Sequence, residues 1–123
     1  MKEITEDYVS FEVAKLLKEK GFDWECRTRK YYPEPEYDAE SPNGVYAPTH
    51  QMALKWLREV HKIIITIDFD EYELESQGTK VGYGYNLQLE SNPREFAKIS
   101  EMVYDSYEET VEAAIKYCLE NLI

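Results

Sequence analysis

Apolar positions change their period along this chain, and each change marks an element. Between residues 49 and 60, Met52, Ala53, Trp56, Leu57 and Val60 return at three- and four-residue intervals that gather them on one helical face, with Thr49 placed to cap the start. Residues 63–69 then form a β-branched, apolar run. After an acidic stretch, Val81, Tyr83, Tyr85, Leu87 and Leu89 alternate with smaller or polar residues at the period of a half-buried strand. The two runs are long enough for an antiparallel hairpin whose turn, at Ser76, Gln77, Gly78 and Thr79, takes its positive φ at Gly78. Tyr83 and Tyr85 then share a face with Val81 and Leu87, while Gly82 and Gly84 leave the backbone bare on the other.

Toward the amino end, Ser10 caps a helix reaching about residue 20, with Phe11, Val13, Leu16 and Leu17 inward and Gly21 ending it. Over residues 23–32, Trp24, Cys26 and Thr28 fall on one side of a strand and Arg27, Arg29 and Tyr31 on the other. Pro33, Pro35, Pro42, Asn43 and Gly44 interrupt regular structure, and Glu34, Glu36, Asp38 and Glu40 occupy every second position between them. A returning strand around Val45 and Tyr46 would close an irregular hairpin with an acidic, tyrosine-bearing tip. Over residues 92–106, Phe96, Ile99, Met102 and Val103 fit a short helix, while Met102 to Tyr104 alone could form an edge strand, and the pattern leaves both open. Ser106 to Glu109 has capping-box spacing, and Val111, Ala114, Ile115, Cys118, Leu119 and Leu122 make the stripe of a closing helix. The expected fold is one α+β domain over residues 1–123: an antiparallel sheet of about four strands covered by three helices, in the order α-β-β-α-β-β-α. Its core is the oily side of residues 52–60 against the ribbon of residues 63–89.

Composition narrows the partners. Twenty-five acidic against 14 basic residues give a formal charge of −11, which repels phosphate backbones and anionic membranes unless the basic groups segregate. With 123 residues, 43% of them hydrophobic, the chain can bury a core without metal or disulfide staples. Cys26 and Cys118 stand outside any zinc or redox spacing, which indicates neither a disulfide framework nor a zinc site and fits a reducing cytoplasm. No signal-peptide succession opens the chain, and no apolar run approaches the ~20 residues that span a bilayer. The expected location is cytoplasmic, with no membrane partner.

Candidate chemistry is sparse. His50 and His61 return to nearly one azimuth, yet at a rise of ~1.5 Å per residue they stand about 16 Å apart along a helix, too far to share a metal ion. The carboxylates of residues 68–75 lack the EF-hand order of alternating acids, glycine and a distal glutamate. No metal site, cofactor or catalytic residue is therefore assigned, and no familiar catalytic motif is present. Lys55, Arg58 and Lys62 recur at helical spacing, and with Arg27 and Arg29 they would form a basic island if the fold gathered them. Tyr31, Tyr32, Tyr37 and Tyr46 cluster where a loop is expected, and exposed tyrosines suit protein recognition.

Three tracts, YVSFEVAKLLKEKGF (residues 8–22), APTHQMALKWLREVH (residues 47–61) and SYEETVEAAIKYCLENLI (residues 106–123), resemble a family of small uncharacterised proteins from gut bacteria and their phages or mobile elements. The resemblance implies a bacterial or phage-derived intracellular protein and brings no mechanism with it. The leading expectation is a noncatalytic accessory protein that binds another protein through Tyr31, Tyr32, Tyr37 and Tyr46. The alternatives are a nucleic-acid-associated protein using Arg27, Arg29, Lys55, Arg58 and Lys62, and an enzyme with an unrecognised site near His61.

Overall fold

Each helix starts where its capping hydroxyl stands. In the computed structural model, which describes residues 6–33, 44–74 and 78–123, Ser10 Oγ accepts from the Val13 amide at 3.2 Å. Thr49 Oγ1 accepts from Met52 at 3.3 Å, and Ser106 Oγ from Glu109 at 3.1 Å. These hydroxyls satisfy amides that the first turn leaves orphaned. The elements are α1 (Phe11–Glu19), β1 (Arg29–Tyr32), β2 (Val45–Pro48), α2 (His50–Val60), β3 (Ile63–Leu74), β4 (Gly78–Leu89), β5 (Asn92–Ile99) and α3 (Tyr107–Asn121). The class is α+β with antiparallel pairing, but one sheet of about four strands is replaced by two sheets, β1-β2 and β3-β4-β5. The chain forms two compact units, Met1–Trp56 with Ile115–Ile123 and Leu57–Ala114.

In the first unit, α1 ends in a Schellman motif. Gly21 has φ +96°, its N–H donates to Lys18 O at 3.2 Å, and Phe22 N–H donates to Leu17 O at 2.9 Å. The reversal brings the Phe22 ring to 5.4 Å from Trp56, edge-on, and Trp56 is only 2% exposed. Strand β1 pairs with β2 from Arg29↔Pro48 to Tyr32↔Val45. The other edge of β2 is covered by the segment before α1, through Val9 N–H to Pro48 O at 3.1 Å and His50 N–H to Asp7 O at 2.8 Å. Residues 23–28, expected to extend β1, are not a strand. The reason is partnership: the ladder stops at Pro48, where the chain enters α2, so nothing remains for them to pair with. Val9, Val13, Ala14, Leu17, Val45, Ala47, Ala53, Trp56, Ile115, Cys118 and Leu119 are buried. The Lys116–Glu12 ion pair at 3.0 Å is half in water, with side-chain exposures of 40% and 66%, and contributes no more than about 1 kcal/mol.

The second unit is built on the long hairpin. Its register runs without a break from Ile63↔Leu89 to Leu74↔Gly78, and Gly78 has the positive φ expected, +76°. Ile63, Ile65, Ile67 and Phe69 therefore share a face with Leu89, Leu87, Tyr85 and Tyr83. Burial fades along that face. Ile63 and Leu87 are 2% and 0% exposed, whereas Phe69 and Val81 are 59% and 58% exposed.

The open question over residues 92–106 resolves as an edge strand. Strand β5 pairs with β4 through two irregularities, and the ladder resumes where Tyr83 and Tyr104 exchange amide bonds of 2.9 and 3.1 Å. A helix would have satisfied only itself, whereas the strand satisfies the outer edge of β4 as well. Between these pairings Met102 lies over Gly84: a Cβ there would run into the Met102 sulfur and come within 3.1 Å of Glu101 O. The bare backbone thus admits a thioether.

On α2, too, an expected core residue is exposed. Val60 shares the azimuth of Ala53 and Leu57, but it is the last residue of α2 and 47% exposed, because periodicity fixes azimuth and not depth. Past it, Lys62 takes a left-handed conformation, φ +58°, and its carbonyl accepts from Glu90 N–H at 2.9 Å. Among the described residues, no helix is long and apolar enough to cross a membrane.

Two substitutions test this account by urea denaturation. Trp56→Ala should cost about 3–5 kcal/mol, since the ring is buried and aromatic-packed; an unshifted midpoint would contradict that packing. Lys62→Gly should stabilise by about 0.5–1 kcal/mol, and Lys62→Val should destabilise by about 1–2 kcal/mol, because left-handed backbone suits glycine and strains a β-branched residue.

Candidate functional site

The Schellman turn that closes α1 also shapes a concavity. Beyond it, Phe22, Trp24 and Cys26 are half-buried while Asp23, Glu25 and Arg27 are exposed, the alternation of an extended wall. The wall faces Ala14 and Lys18 of α1, together with Arg29 and Tyr31 of β1, Val45 and Tyr46 of β2 and Gly44 just before β2, around a cleft of about 440 Å³. Register places its aromatic floor. Tyr31 and Tyr46 are directly paired across the ladder, and their rings lie 5.0 Å apart. Arg29, two residues before Tyr31 and so on the same face, sets its guanidinium 4.1 Å from the Tyr46 ring centre.

Gly44 is required by this arrangement. A Cβ there would collide with the Tyr31 phenol and stand 2.8 Å from Tyr32 O. Tyr32 turns the other way, where its hydroxyl donates to Val9 O at 3.0 Å and its ring meets Phe11 edge-on at 6.2 Å. Of the four tyrosines singled out by sequence, Tyr31 and Tyr46 share the cleft, Tyr32 supports the strand behind it, and Tyr37 lies outside the described residues. The acids at positions 34–40 lie outside them too. Tyr31 and Tyr46 occupy the paired strands β1 and β2, the two arms of the hairpin expected there. Phe22 and Trp24 were missed as site residues, although the glycine stop followed by aromatics two apart was a usable signal.

Among the described lining residues, Lys18 and Arg29 stand against Asp23 and Glu25. Cys26 shares this cleft and a smaller one of about 360 Å³ that includes Arg27, Thr28, Thr49 and Met52. Burial raises the Cys26 pKa, opposed in part by the Arg29 charge, and its thiol points to Trp24 O at 3.8 Å. Cys118 is fully buried, and desolvation pushes its thiol up to about 12. Both effects favour the protonated, unreactive form.

The remaining candidates are dispersed. Arg27, Arg29 and Lys55 belong to the first unit, Arg58 and Lys62 to the second. Lys62 follows the end of α2 and so does not continue the helical spacing of Lys55 and Arg58. His50 opens α2 and is 8% exposed, while His61 follows its end and is half-buried, with its amide donating to Leu57 O at 3.1 Å. Asp68 and Asp70 fall on one face of β3 and Glu71 on the other, and Asn86 Nδ2 donates to Asp68. Among the described residues, no group of three or more His, Cys, Asp or Glu side chains could hold a metal ion.

Compared with protein-family models, curated proteins and solved structures, the chain has no significant match.

Thiol reactivity checks the environment of the two cysteines. At about pH 8, Cys118 should resist a disulfide reagent in the native protein and react at once in urea, with Cys26 labelling slowly between these extremes. Cys118 is raised above its ordinary 9.0, so its stabilising contribution is intact below that pH and is lost as pH climbs toward about 12. Stability should therefore fall across that window, and less steeply in Cys118→Ala. Equal labelling rates for both thiols in the native protein would refute the assignment.

Proposed function

We propose that the protein is a noncatalytic, intracellular accessory protein, of bacterial or phage origin, that binds another protein by taking an apolar side chain of the partner into the cleft of Trp24, Tyr31, Tyr46 and Arg29. The observation that carries this reading is the Tyr31–Tyr46 pair with a guanidinium against it: Tyr46 is 56% exposed while its ring is held by Arg29 at 4.1 Å. A ring fixed before binding loses little freedom when a partner arrives, which is why tyrosine, tryptophan and arginine dominate interface energetics. Half-buried Trp24 and Phe22 supply apolar wall. The resemblance to proteins of gut bacteria and mobile elements supports the setting.

Affinity recovery from a bacterial lysate tests it, with the parent chain and Tyr46→Ser compared at equal stability. A protein retained by the parent should be retained about tenfold less by Tyr46→Ser, the effect of losing about 1.4 kcal/mol. Tyr107→Ser, a change at an exposed tyrosine of α3, should leave retention unchanged. Undiminished capture by Tyr46→Ser would remove the cleft from the account, and retention of nucleic acid alone would replace a protein partner with the basic residues' reading.

A further inference from the structure

We propose that the outer edge of β3, over residues 67–73, is a second docking surface that takes up an extended, basic segment of a partner protein as an added strand. The order β3-β4-β5 leaves β3 at the rim of its sheet. Its ladder bonds run to β4, and among the described residues no backbone bond joins its other side to anything. Alternate residues of such a strand turn N–H and C=O groups outward, a ready template for strand addition.

Side chains say more than the open edge does. Phe69 and Val81, 59% and 58% exposed, lie on one face with Tyr83, whose ring is 4.7 Å from Phe69. Edge protection alone would account for acids along the strand, but it gives no reason to leave Phe69 and Val81 in water beside it. An incoming strand would set its alternate apolar side chains next to Ile67 and Phe69, completing a face that is otherwise unfinished.

Charge selects the occupant. Residues 67–83 contain Asp68, Asp70, Glu71, Glu73 and Glu75, with Lys80 as their single basic residue. A second copy pairing edge to edge would bring these carboxylates against their own kind, so the surface disfavours self-association. Lysines or arginines beside Asp68 and Asp70, on the face opposite Ile67 and Phe69, would instead be matched. This surface is independent of the aromatic cleft, and either can fail without the other.

The test is an amide-resolved NMR titration of the full chain with a blocked octapeptide of alternating lysine and valine. Shifts concentrated at residues 67–73, slowed exchange of their outward amides, and binding at least about tenfold weaker for Asp68→Lys with Asp70→Lys, whose face the lysines meet when the valines meet Ile67 and Phe69, are expected. Phe69→Ser, a change at an exposed site, should also weaken binding, and a glutamate–valine octapeptide should not bind. No shift at millimolar peptide, shifts spread over acidic residues elsewhere, undiminished binding by both variants, or dimerisation through this edge would each overturn the proposal.

Discussion

The contact between Phe22 and Trp56 is what the first unit depends on. A left-handed glycine at position 21 reverses the chain after α1, and the next residue delivers its ring to a tryptophan that is almost wholly buried. The extended wall of residues 22–26 inherits its position from that anchor. The cleft is therefore a by-product of how one helix ends, and its aromatic floor follows from register in the short ladder opposite.

Much of this was legible in the chain because its causes are local. Ser10, Thr49 and Ser106 each announce a helix start through a hydroxyl three residues from an orphan amide, and Gly21 announces a stop. The hairpin was equally plain, since β-branched residues and alternation agree over two long arms and Gly78 can hardly serve any other purpose. The division into two sheets was not legible. Whether residues 23–28 form a strand depends on the length of β2, and whether residues 92–99 form one depends on the unsatisfied edge of β4. Both are questions about partners distant in sequence, on which periodicity is silent. The site was half visible: composition flagged Tyr31 and Tyr46, but only pairing shows that they stack and that Tyr32 turns away.

Electrostatics divides the described surface into two chemistries. Among the described residues lining the cleft, Lys18 and Arg29 offset Asp23 and Glu25. Along β3 the acids are nearly unopposed, and their attraction for a cationic partner would weaken with added salt over a Debye length of about 8–10 Å. A net charge of −11 is thus a poor description of any one face.

The seat of Met102 over Gly84 has a chemical consequence of its own. A thioether fits there because sulfur is soft and carries no obligatory hydrogen bond; its sulfoxide is bulkier, polar and chiral. Peroxide reaching this half-exposed residue would wedge an oxygen against the glycine backbone and prise residues 100–104 from the rim of β4.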